Sequence, residues 1–83
     1  MSRYAKALQS IGMEIVGETL FCDRPYTIAR TKVGFSDLTI YFSENGTARL
    51  DKPNRTTKWV YEKSPAQLLA IAKQTLSFYK VGR

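Results

Sequence analysis

The 83-residue chain is basic: 13 Lys and Arg stand against 7 Asp and Glu, which gives a net charge of +6 at pH 7. This length predicts a single domain over residues 1–83, because so short a chain cannot bury two cores. It has no histidine, one cysteine (Cys22) and no run of the ~20 apolar residues that a transmembrane helix needs. We therefore expect a cytoplasmic protein with no metal, cofactor, disulfide or membrane contact. We also expect that it is not an enzyme, since no poised acid, base or nucleophile can be identified.

The excess positive charge lies in the second half of the chain. Residues 1–48 carry five cationic and five anionic side chains (5 − 5 = 0), whereas residues 49–83 carry eight and two (8 − 2 = +6). Such asymmetry indicates a polyanionic partner or, alternatively, a face that lysines keep soluble.

The start of the chain predicts a short helix followed by a strand. Ser2 is a suitable N-cap for a helix over residues 2–11, and Gly12 suits the left-handed position after it. Residues 13–21 predict a strand in which Gly17 marks a bulge.

Turn residues at 22–25 and alternating β-forming residues then predict three strands, at 26–33, 37–43 and 47–51. A two-residue loop before the last of these would place Arg49 opposite Phe42 on the apolar face. A three-residue loop ending on a left-handed Gly46 pairs Phe42 with Ala48 instead. We expect this register, which sets Tyr41 opposite Arg49 on the outer face.

A turn at 52–55 leads to a predicted strand over 56–62. Trp59 and Tyr61 share one face of this strand and Val60 lies on the other. We expect the two rings to face the core, because exposing them would forfeit roughly 2–3 kcal/mol of burial for each.

Residues 65–80 form the clearest predicted helix. Ser64 and Gln67 make a capping box, and Pro65 occupies the first helical position, where its missing N–H costs nothing. The apolar spacing predicts a buried stripe, made of Leu68, Leu69, Ile71, Ala72, Leu76, Phe78 and Tyr79.

These elements predict an α+β fold in two layers. An antiparallel sheet of three to five strands is covered by the C-terminal helix, with a short N-terminal helix beside it.

A cluster of positively charged residues around the 52–55 turn indicates a function for the chain. Four cations fall within ten residues around the 52–55 turn, and such clusters bind phosphates whatever the base sequence; they are Arg49, Lys52, Arg55 and Lys58. Tyr41 beside Arg49 adds a surface on which an unpaired base can stack. We therefore expect a small basic nucleic-acid-binding domain that contacts phosphates through this turn and strand surface. The choice between DNA and RNA stays open, as does the oligomeric state, dimer included.

The element order resembles that of double-stranded-RNA-binding domains. Sheet-plus-helix DNA-binding domains, which place a three-stranded sheet in the major groove, are similar in the same way. The resemblance covers the order of elements only. The RNA-binding family carries a basic cluster at the start of its last helix, where this chain has Ser64-Pro65-Ala66-Gln67, so none of that family's site residues is assigned here.

The alternative is a protein-interaction module or inhibitor, for example a viral or mobile-element protein that docks on an acidic surface of a host factor. The salt dependence of binding distinguishes these two functions. For a phosphate-binding protein, the logarithm of the binding constant falls steeply and linearly with the logarithm of the salt concentration.

Overall fold

The computed structural model describes residues 2–81, and the side chains of residues 2–79. Its elements, in chain order, are α1 (Arg3–Gln9), β1 (Glu14–Phe21), β2 (Arg24–Val33), β3 (Ser36–Phe42), β4 (Ala48–Asp51), β5 (Thr57–Val60) and α2 (Pro65–Val81). The strands form one antiparallel sheet in the order β1-β2-β3-β4-β5, and both helices share a core with its inner face. The predicted two-layer α+β fold is confirmed. The single-domain prediction includes Met1, Gly82 and Arg83, which lie outside the described residues, and it stays a prediction.

Both helices begin at the predicted caps. Ser2 Oγ accepts the Ala5 N–H at 3.0 Å. At α2, Ser64 Oγ accepts the Gln67 N–H at 3.1 Å and Gln67 Oε1 accepts the Ser64 N–H at 2.8 Å. This reciprocal pair is the predicted capping box, and it satisfies two N–H groups that the helix itself cannot.

The core lies between the two helices and the inner face of the sheet. The largest fully buried side chains come from β3, β4 and both helices; they are Leu8, Leu38, Ile40, Phe42, Leu50 and Leu68. Phe78 was predicted to join them and does not, since it is 69% exposed. It lies beside Lys52 and Lys58 at the β5 edge of the sheet, which no further strand of residues 2–81 covers.

Two features of the first hairpin follow from local backbone geometry. The register of β1 against β2 shifts between Ile15 and Gly17, so the predicted bulge is present. The turn is only Cys22-Asp23, both with positive φ, as a tight two-residue hairpin loop requires. Strand β2 therefore starts at Arg24, two residues before the predicted strand at 26–33.

The predicted register of β3 and β4 is confirmed. Phe42 pairs with Ala48 and Tyr41 with Arg49, and Gly46 has a φ of 90°. The Gly46 carbonyl also accepts the Lys63 N–H at 3.1 Å, which ties this loop to the segment before α2.

The loop between β4 and β5 has the same construction. Arg55, with a φ of 70°, stands where Gly46 stands in the earlier loop. In both loops an Asn Oδ1 accepts a Thr N–H two residues on at 3.0 Å: Asn45 with Thr47, and Asn54 with Thr56.

The predicted orientation of β5 is wrong. The three-residue loop pairs Val60 with Ala48 and Trp59 with Arg49, so Val60 enters the core and Trp59 lies on the outer face. Val60 is 6% exposed, whereas Trp59 is 40% and Tyr61 62% exposed. The cost of this arrangement is smaller than the sequence suggests, because Trp59 packs against Phe21 and Tyr26 there.

Candidate nucleic-acid interface

The sheet is strongly coiled around its outer face. Phe21 lies on β1, one edge of the sheet, yet its ring centroid is 6.1 Å from that of Trp59 on β5, the other edge. Four strand spacings in a flat sheet would separate these edges by about 19 Å. Pairing of β2 with β3 begins only at Thr27, so the end of the first hairpin, residues 18–26, extends past β3 and folds over the outer face. We call this segment the hairpin arm.

Aromatic rings fill the space under the arm. The Phe21 ring meets Tyr26 at 5.1 Å and Tyr41 at 5.4 Å between centroids, both edge to face. Tyr26 is 6% exposed, although it lies on the face away from the helices. Edge-to-face pairs add about 0.5–1.5 kcal/mol beyond their buried area, so these rings form a small second core.

Arg49 is fixed at the centre of this cluster. Its guanidinium lies 4.7 Å from the Tyr41 ring centroid and 5.2 Å from that of Phe21. It also donates two hydrogen bonds to Asp51, at 2.9 and 2.7 Å. The hydrogen bond to Asp51 raises the pKa of Arg49 above its usual value. Arg49 thus lies opposite Tyr41 as predicted, but its charge is already paired.

Trp59 and Tyr61 present the accessible aromatic surface of the outer face. Their rings are 12° from parallel with centroids 6.4 Å apart, and both side chains are exposed. Sequence reasoning assigned the pair to the core and so left it out of the predicted site. The Asn-x-Thr sequence that occurs in both loops was the available signal. Two three-residue loops of the same construction imply that β5 pairs with β4 as β4 pairs with β3, which places Val60 opposite Ala48 in the core.

The four predicted cations do not share one surface. Lys52 and Lys58 line a cavity beside α2, on the inner side of the sheet edge. Arg49 lies on the outer face, and Arg55 is exposed at the tip of the β4–β5 loop. The structure therefore unites Tyr41 with Arg49, and Lys52 with Lys58, as two separate pairs.

Arg24 is a further cation near the rings that the sequence did not single out. It pairs directly with Phe21 in the hairpin arm, and opposed residues of an antiparallel pair share a face. Its side chain is exposed, so the arm carries one exposed cation, Arg24, and the β4–β5 loop another, Arg55.

Other chemistry is sparse in the part of the chain that the structure describes. Within it, no three Cys, Asp or Glu side chains converge closely enough to hold a metal ion. Neither described helix combines the length and apolar character needed to cross a bilayer.

No family model matches this chain, and comparisons with curated proteins and with solved structures found no significant match.

Proposed function

We propose that this protein binds single-stranded nucleic acid along β5. The observation that carries the proposal is the exposed, nearly parallel pair Trp59 and Tyr61 on the open sheet face. We call Arg55, Trp59 and Tyr61 the β5 strip. Aromatic side chains of this kind stack on unpaired bases and contribute about 1–3 kcal/mol per base, largely regardless of sequence.

The geometry favours a single strand over a duplex. Bases in a duplex are stacked on one another, so side chains reach them only at their edges. The rings of Trp59 and Tyr61 need a base face, which only an unstacked nucleotide offers. Strand β5, Thr57–Val60, measures about 13 Å, and this length predicts a site for a few nucleotides.

Arg55 is the cation that we place on the phosphates. It is exposed and has a φ of 70°, a conformation that costs a residue with a Cβ about 1–2 kcal/mol. Gly46 avoids that cost in the matching loop. Backbone strain of this kind clusters at binding sites, which supports a functional role for the Arg55 side chain. Lys52 and Lys58 lie beside α2 on the inner side of the sheet edge, so we do not include them in this phosphate contact.

The alternative of a protein-interaction module rests on another observation. Strand β5 lies at the edge of the sheet, so one side of its backbone is open to pairing with an extended segment of another protein. A cytoplasmic location is part of both proposals.

Binding of a labelled oligothymidylate, followed by fluorescence anisotropy, tests the proposal. We expect Tyr61→Ala to weaken binding about tenfold, because one base loses its stacking partner. The variant should remain folded, since Tyr61 is 62% exposed. Phe35→Ala is the matched control: Phe35 is a fully exposed ring in the β2–β3 loop, and its removal should leave affinity unchanged. Equal affinities for all three proteins, or preference for duplex, would contradict the proposal.

The phosphate contact has its own test. Arg55→Asn keeps a residue that tolerates the left-handed conformation and removes the charge. We expect the slope of log K against log salt to fall in magnitude by about 0.7, the loss of one phosphate contact on a single strand. Lys73→Gln, on the exposed side of α2, is the charge-matched control and should keep the slope of the unmodified protein.

A further inference from the structure

A cavity of about 360 Å³ lies between the β5 edge of the sheet and the second half of α2. Its volume is at the lower end of the range of ligand pockets, ~300–1,000 Å³. It lies on the inner side of the sheet, away from Trp59 and Tyr61, so nothing in the proposed function uses it.

The cavity combines an apolar wall with two cations. Ile71, Phe78 and Tyr79 of α2 supply the wall, and Lys52 and Lys58 lie across from them on the sheet edge. Phe78 is 69% exposed, so its ring is accessible to an occupant of the cavity. Neither lysine forms an ion pair with any carboxylate among the described residues.

The charge of the lining is one-sided. No Asp or Glu among the described residues lines the cavity, and the nearest acidic residue in sequence, Asp51, is bound to Arg49 on the outer face. The other polar residues that line the cavity are Gln74 and Thr75. The Thr75 hydroxyl donates a hydrogen bond to the Ile71 carbonyl at 2.9 Å, so its proton already has an acceptor within the helix. An occupant that matches this lining is flat and apolar with an anionic group at one end.

We propose that this cavity binds a small aromatic carboxylate, with the ring system against Ile71 and Phe78 and the carboxylate between Lys52 and Lys58. Each lysine contributes a charge-assisted hydrogen bond, and the apolar wall removes the rings from water. The proposal does not rest on nucleic-acid binding.

Methyl NMR of the full chain with naphthoate as the probe tests this site. We expect saturable shifts of the Ile71 and Thr75 methyl signals, and affinity at least tenfold lower for the neutral naphthalenemethanol, which keeps the rings and lacks the charge. The Lys52→Gln/Lys58→Gln variant should bind naphthoate about tenfold more weakly, whereas Lys6→Gln/Lys73→Gln, which removes two exposed helix lysines, should bind it normally. An unchanged indole N–H signal from Trp59 verifies that each variant is folded.

Any of four results would overturn the proposal. Three of them are the absence of saturable shifts, equal affinity for acid and alcohol, and shifts centred on residues outside the cavity. Displacement of naphthoate by oligothymidylate would also do so, because the lysines would then belong to the nucleic-acid surface. If naphthoate binds and oligonucleotides do not, this site stands and the proposed function fails.

Discussion

Gly46 shows how much a single residue carries in this fold. Its φ is 90°, and a Cβ built on it would meet the Lys63 carbonyl oxygen and the Lys63 nitrogen, the latter at 2.6 Å. Both atoms are backbone, so neither yields easily. Glycine is therefore required at position 46 for two reasons: the backbone conformation is left-handed, and there is no room for a Cβ.

Comparison of two glycines separates these requirements. Gly12 has a φ of 91°, and no atom of the described residues lies within 4 Å of a Cβ built on it. We expect Gly12→Ala to lower the free energy of unfolding by about 1 kcal/mol, the cost of the left-handed conformation alone. Gly46→Ala should lower it by about 2–4 kcal/mol, because overpacking adds to that cost. Urea denaturation measures both, and equal losses would refute the contact with Lys63.

At the scale of elements, the hairpin arm depends on Phe21. The ring touches Tyr26, Tyr41 and Trp59 and covers the Arg49 guanidinium. These contacts hold the arm against the outer face.

Phe21→Ala should release the arm. We expect a loss of about 2–3 kcal/mol in the free energy of unfolding and a red shift of Trp59 emission, since Trp59 loses a ring that shields it from water. Leu20→Ala is the control from the same strand: Leu20 is 65% exposed, and its truncation should change stability by less than about 0.5 kcal/mol. Unaltered emission in Phe21→Ala would show that the arm does not rest on Trp59.

The helices, the β3–β4 register and the bulge at Gly17 were predictable because local rules determine them. Caps, glycine conformations and alternation each act over a few residues. The face of β5 was not predictable by the same route, because the deciding residue is Arg55, which holds a left-handed conformation that sequence preference assigns to glycine or asparagine.

The inward placement of Trp59 and Tyr61 was wrong for a related reason. Assigning Trp59 and Tyr61 to the core assumed that the outer face is open water. That assumption missed the hairpin arm, which brings Phe21 from one sheet edge to the other. Sheet coiling arises from the whole molecule, and no short stretch of sequence encodes it.

At the scale of the whole molecule, the two faces of the sheet differ in how they are covered. The inner face is covered by both helices and holds the main core. The outer face holds paired rings at the centre and exposed rings at the β5 edge, and the arm and the β4–β5 loop each carry an exposed cation. We infer that the first maintains the fold and the second meets the partner.

Intrinsic fluorescence tests this inference most directly, because Trp59 is the only tryptophan in the chain. Titration with unlabelled oligothymidylate should quench Trp59 emission in a saturable manner, as a base stacks on the indole. The logarithm of the binding constant should fall linearly with the logarithm of the salt concentration, with a slope whose magnitude is about 0.7 for each phosphate contacted. Saturating oligonucleotide that leaves Trp59 emission unchanged would contradict the account, whether or not it binds elsewhere on the protein.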